Sequence, residues 1–248
     1  MARVLVPIPR ADFDPTEAAV PWRILVDAGH EVAFATPDGR PGAADPRMVD
    51  GTGLGLLAPL LRAQPGAVAD YRRLQAHAAF ASPMAWAALD DTAFDALLLP
   101  GGHAPGMREY LESAPLHAIT ARFFASGRPV GAICHGTVVA ARARDAATGA
   151  PVLRGRRTTG LTRAMEMLAW RLTRHRLGDY YRTYPTTVQD EVTAALRSPG
   201  DFLPGPPALL RDDDAHLGRG FTVRDGAYLS ARWPGDAHRF GHELAGML

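Results

Sequence analysis

Arg128-Pro129-Val130-Gly131-Ala132-Ile133-Cys134-His135-Gly136 is the stretch on which the reading of the fold turns. Pro129 to Ile133 is an apolar run of strand length, and a helical pattern from His135 to Ala146 follows with no connecting loop. Gly131 and Gly136 flank the thiol, as a sharp strand-to-helix turn requires. A lone cysteine is by default a small buried hydrophobe, but the elbow context outweighs that default. The turn is expected to lift Cys134 above the carboxyl ends of a sheet, where open α/β sheets bind ligands. There the positive end of the following helix should favour the thiolate, with His135 adjacent to move protons.

Working outward, Arg3 to Ile8, Glu31 to Thr36 and Phe94 to Leu99 read as further strands, the last a continuous apolar run suited to burial on both faces. Glu17 to Ala28 carries Val20, Ile24, Leu25 and Ala28 at helical spacing before a stop at Gly29, and Met107 to Ser126 reads as another helix. This alternation predicts an α/β fold, a mostly parallel sheet with helices on both faces. Gly220 to Arg232 is expected to form a C-terminal hairpin turning at Asp225-Gly226, before a last helix from about Asp236. Two stretches break the rhythm. Residues 41–91 read as a helical insertion capping the sheet, with helical patches at Leu54 to Arg62 and Val68 to Phe80. Residues 178–220, rich in Tyr, Pro and charge, read as a lid-like excursion. No linker or repeat divides the chain, so 1–248 is expected to form a single domain.

Composition narrows the chemistry. A chain of 248 residues, 47% hydrophobic, with a formal net charge of +1, can build one large core and has no global field to attract nucleic acid or an acidic membrane. It contains no lysine and no asparagine, so all 27 basic residues are arginines. Schiff-base catalysis and a P-loop are therefore excluded. One cysteine rules out an internal disulfide. No signal-peptide pattern and no apolar stretch of ~20 residues is present, so a cytoplasmic protein is expected.

Cys134-His135-Gly136, together with Asp95-Ala96-Leu97-Leu98-Leu99-Pro100-Gly101-Gly102-His103, resembles the ThiJ/PfpI superfamily, and its chaperone/glyoxalase III branch in particular. The resemblance covers most of the chain. It implies a flavodoxin-like, class I glutamine amidotransferase-like fold, no cofactor, no metal and a homodimer. It further implies that Glu17, in the first turn of the first helix, holds the cysteine sulfur, and that the Gly102 and His135 amides form an oxyanion hole after Gly101. His103 is either a hydrogen-bonding group of the pocket or a loop histidine. Thr159-Gly160-Leu161-Thr162-Arg163-Ala164-Met165-Glu166 matches a family segment that makes Glu166 the carboxylate orienting His135. Two departures bear on the substrate. Arg232 and Trp233 stand where the family has small residues, and Tyr180-Tyr181-x-x-Tyr184 exceeds the family pattern.

Other signals are set aside. His238 and His242 share a helix face but lack a third metal ligand, and Arg154, Arg156 and Arg157 lack the aromatic interleaving of a nucleic-acid site. The leading expectation is a cofactor-independent enzyme converting a small 2-oxoaldehyde to a 2-hydroxy acid. The alternatives are a cysteine hydrolase or hydratase of another electrophile, such as an amide, and a stress chaperone or oxidative sensor.

Overall fold

The computed structural model describes all 248 residues. Seven strands form the main sheet: β1 (Arg3–Pro7), β2 (Glu31–Thr36), β3 (Met84–Ala85), β4 (Ala96–Leu99), β5 (Val130–Ile133), β6 (Thr222–Asp225) and β7 (Tyr228–Ala231). Their order is β3-β2-β1-β4-β5-β7-β6, parallel throughout except for the antiparallel β6–β7 hairpin. β4 and β5 are buried along their whole length, which is why they read as continuous apolar runs.

The helices that position the site are α1 (Pro15–Asp27), α2 (Pro65–Ala76), α3 (Ala114–Ser126), α4 (Gly136–Arg142), α5 (Arg163–Leu177), α6 (Val188–Ala195) and α7 (Ala237–Ala245). From β1 the chain moves outward to β2, then returns across the sheet to β4. The β1/β4 boundary is therefore the topological switch point, where a crevice opens at the carboxyl ends. The segments after β1, β4 and β5 carry Glu17, Gly101 to His103, and Cys134 to His135, so connectivity alone brings these residues to one edge.

The fold expected from the sequence is present, with local differences. The helix read over Met107 to Ser126 is two helices, Met107–Leu111 and α3. Ser113 caps the second, its hydroxyl accepting from the Leu116 amide, and Pro115 lacks the amide that would continue the first. The helix behind Cys134 stops at Arg142 rather than Ala146. Residues 41–91 do more than cap the sheet: α2 packs on α1, while Met84–Ala85 extends the sheet as its edge strand. Residues 178–220 are no loose lid. α6 packs on α4, and the buried Tyr181 donates its hydroxyl proton to Asp45 at 3.0 Å.

Candidate active site

The elbow is strained as its sequence implies. Cys134 has φ 56°, one of two non-glycine residues at positive φ. Such a conformation costs an L-residue about 1–2 kcal/mol. It is anchored on both sides: the Cys134 amide donates to Ala231 O at 3.1 Å, and the Thr137 hydroxyl donates to Cys134 O at 2.7 Å. Gly136 is required by space, since a Cβ there would lie 2.0 Å from Leu99 O. Gly101 is equally confined, between the Glu17 carboxyl, the His135 amide and Ile133 O, each within 2.8 Å of such a Cβ.

Glu17 is placed by the start of α1. Asp14 caps that helix, accepting from the Thr16 and Glu17 amides at 2.8 and 3.1 Å, and Pro15 takes the first helical position. Glu17 is fully buried. Its Oε2 accepts from the Gly101 amide at 2.9 Å, while Oε1 has no protein partner and the carboxyl faces the Cys134 thiol. Burial pushes the carboxyl well above the usual range, with the nearby Asp14 charge adding to the effect. A neutral Glu17 is a hydrogen-bond donor, and its unengaged oxygen is the one available to hold a sulfur anion.

His135 packs against the thiol, its Nδ1 3.5 Å from Cys134 Sγ, and its Nε2 lies 3.3 Å from Thr183 Oγ1. The Thr183 hydroxyl donates to His103 O at 2.6 Å. A carbonyl can only accept, so the Thr183 proton is committed there and its oxygen receives the proton of Nε2. This chain of bonds sets the tautomer: Nε2 carries hydrogen, and Nδ1 presents a lone pair to the thiol. Burial, with the charge of Arg142 and the neighbouring His103, holds the imidazole well below its usual range, hence neutral.

Two expectations are corrected. Glu166 does not orient His135. Its carboxyl accepts from the Val188 amide at 2.9 Å and lies 3.7 Å from Arg182, tying α5 to α6, while Thr183 occupies the place beside the imidazole. Nor is the sulfur accessible and ionised. Cys134 is fully buried, and burial pushes the thiol well above its usual range. The resting pair is thiol and neutral imidazole. Thr183 was missed because it lies 48 residues from His135, in the tyrosine-rich excursion, with no local motif to mark it.

The remaining residues converge. The His135 amide adjoins the sulfur, and the Gly102 amide donates to no protein acceptor. The His103 ring stacks edge-on between His135 and Tyr181, at 5.2 and 5.5 Å, with neither nitrogen hydrogen-bonded and its pKa lowered to about 4 by burial. Arg232, expected to reshape the pocket, is instead buried beneath it. It clasps Asp236 through two bonds of 2.9 Å and donates to Pro206 O at 2.6 Å. No group of three or more His, Cys, Asp or Glu is arranged to hold a metal, and His238 and His242 pair with Asp212 and Asp214. No helix is long and apolar enough to cross a membrane.

Two measurements follow from these environments. Alkylation of Cys134 by iodoacetamide, read by intact mass, should be at least tenfold slower than that of a free thiol at pH 7.5 and should keep accelerating above pH ~8.5. Rapid labelling at pH 6 would contradict a buried neutral thiol. The Glu166 carboxyl is raised from 4.5 to about 7 by burial, so the folded state holds its proton to a higher pH than the unfolded chain. Native stability therefore falls as pH rises from 4.5 to 7 and stays lower above that. Glu166→Gln should match the wild type near pH 4.5 and melt several degrees higher at pH 8, on the order of 2 kcal/mol, with kcat/KM within threefold. A large catalytic loss would restore the orienting role to Glu166.

A strained cysteine elbow with an adjoining histidine and a helix-borne glutamate, at the switch point of a flavodoxin-like sheet, defines a class of cysteine-centred α/β proteins. Residues 8–195 match the family described as ThiJ/PfpI family-like, and the chain belongs to that family. A deglycase of Pyrococcus abyssi is 30% identical over 155 residues, 62% of this chain and 63% of that protein. A deglycase of Thermococcus kodakarensis is 41% identical over 76 residues, 31% of this chain and 40% of that protein. The chain thus spans less than two thirds of either relative. Among solved structures, glyoxalase III of Candida albicans superposes with a TM-score of 0.70 at 19% identity, covering 100% of this chain and 97% of that one, a likeness of fold.

Proposed function

We propose that the protein is a glyoxalase III-like enzyme acting on a reactive carbonyl, with Cys134 as nucleophile, His135 as proton carrier and Glu17 as the group that holds the sulfur. The observation that carries this reading is the Nδ1 lone pair of a neutral His135 facing Cys134 Sγ at 3.5 Å, in a tautomer imposed through Thr183. Likeness to proteins named deglycase and glyoxalase III supports a carbonyl substrate.

In this reading Nδ1 takes the thiol proton as sulfur adds to the aldehyde carbon of a 2-oxoaldehyde, giving a hemithioacetal. Glu17 Oε1–H donates to the sulfur, and the Gly102 and His135 amides receive the developing oxyanion. Nδ1 returns its proton to the alkoxide oxygen, which completes the hemithioacetal and frees the lone pair. His135 then moves the proton on the former aldehyde carbon to the adjacent carbonyl carbon, while the hydroxyl proton passes to the second oxygen, so the first carbon is oxidised to a thioester as the second is reduced to an alcohol. Water cleaves the thioester, releasing the 2-hydroxy acid and the thiol. The redox change is internal to the substrate, so the reaction needs no external cofactor. Purified protein incubated with methylglyoxal and phenylglyoxal, without thiols or metal, should yield lactate and mandelate. Failure to form a 2-hydroxy acid from any 2-oxoaldehyde overturns the assignment.

A further inference from the structure

His103, against the imidazole of His135, also lines a surface groove of about 500 Å³. Seven large apolar side chains are exposed on the whole molecule, and five of them line this groove: Leu60, Leu168, Leu172, Leu209 and Leu210. Scattered exposed leucines are ordinary, whereas a cluster around one concavity marks a binding surface. A small 2-oxoaldehyde such as methylglyoxal has no use for such walls.

The polar groups of the groove are few, and its only charged ones are cationic. Two arginines, Arg62 and Arg211, line it, and no aspartate or glutamate does. Arg211 is largely withdrawn from water and donates to the carbonyls of Leu60 and Leu61 at 3.2 Å, beside the Trp233 ring at 5.5 Å. It makes no salt bridge, and the one acidic group whose charge it feels is the buried Asp14 beside Glu17. Trp233 Nε1 is buried with no acceptor, in a ring so closely packed that a Cβ at Gly235 would lie 2.4 Å from it. A desolvated donor without an acceptor is costly, and an anion beside the Arg211 guanidinium supplies the acceptor that Trp233 Nε1 lacks. Trp233 is thus the family departure that shapes the pocket.

From this arrangement we infer that the groove binds an amphipathic carboxylate, its alkyl or aryl part on the leucine walls and its anionic group on Arg211 and Trp233 Nε1, and so selects bulky, acid-bearing carbonyl substrates for Cys134. The selection of substrate rests on the carbonyl chemistry proposed for Cys134; the binding does not.

The test uses full-length Cys134→Ser protein, which separates binding from turnover, with 1-anilinonaphthalene-8-sulfonate as the fluorescent probe. Octanoate should displace the probe, acetate should not, and octan-1-ol should do so at least tenfold more weakly than octanoate. Arg211→Gln should weaken octanoate at least tenfold and leave octan-1-ol unchanged. Leu168→Asp, at an exposed position that cannot unfold the core, should weaken both. In the Cys134 enzyme, the kcat/KM ratio of 4-carboxyphenylglyoxal to methylglyoxal should exceed tenfold and fall towards one in Arg211→Gln. Equal competition by octanoate and octan-1-ol, or displacement by apolar peptides independent of Arg211, overturns the inference. Specific octanoate binding with no turnover of any 2-oxoaldehyde instead overturns the reaction assigned to Cys134 and leaves the binding site standing.

Discussion

Cys134→Ala is expected to lower kcat/KM for 2-oxoaldehydes by at least ~1,000-fold while the protein still folds. In the proposed reaction the sulfur supplies the covalent bond on which the later steps run, and no other nucleophile shares the elbow: Glu17 is neutral by burial, and His135 is engaged by Thr183. Partial function is not expected, because residues acting as one unit lose their effect together. Loss of the thiol removes a small buried group and costs ~1–2 kcal/mol, a tolerable decrement. The elbow also makes a finer prediction. Glycine ordinarily destabilises relative to alanine by ~0.5–1 kcal/mol, but at φ 56° it relieves strain. Cys134→Gly should therefore unfold at the same urea concentration as Cys134→Ala, or a higher one. A clearly less stable glycine variant would remove the evidence for strain, and residual turnover above a hundredth of wild type would remove Cys134 as nucleophile.

Gly136→Ala is expected to have the largest effect on stability. The added Cβ would sit 2.0 Å from Leu99 O, an atom of a central strand paired to β5 on the far side from β1. A flexible side chain could swing away, but a backbone carbonyl in the middle of the sheet cannot. Relief requires α4 to lift off β4, which displaces His135 as well. A loss of ~3 kcal/mol or more is expected, on the order of 10 °C in melting temperature for a chain of this size, with activity lost in whatever remains folded. Gly218→Ala, with nothing within 4 Å of the new Cβ, is the control and should melt as wild type does. Similar melting temperatures for the two would mean that α4 does not approach β4 so closely.

Much of this was legible because it is local. Apolar runs of strand length, helical spacing behind them and a cysteine between two glycines are properties of contiguous residues, and they carried the α/β order and the elbow. Glu17 and Gly101 to His103 were also placed, since strand order sends the ends of β1 and β4 to the same edge as Cys134. Harder to read was what surrounds a given side chain. The break at Ser113 and Pro115 was written in the sequence as a cap and a proline, yet the apolar spacing on either side concealed it.

Chain order and residue type were enough to place the cysteine elbow, its neighbouring histidine and the sheet that carries them, because each follows from backbone periodicity within a few residues. The ionisation of the sulfur, the partner of the imidazole and the role of Arg232 came from packing between distant segments. A helix terminus alone favours a thiolate, but complete burial reverses that preference. Thr183, not Glu166, reaches His135 because the excursion folds back over α4. Charge state and hydrogen-bond partners depend on the low-dielectric surroundings that the assembled chain creates, and those surroundings are not a local property of the polypeptide.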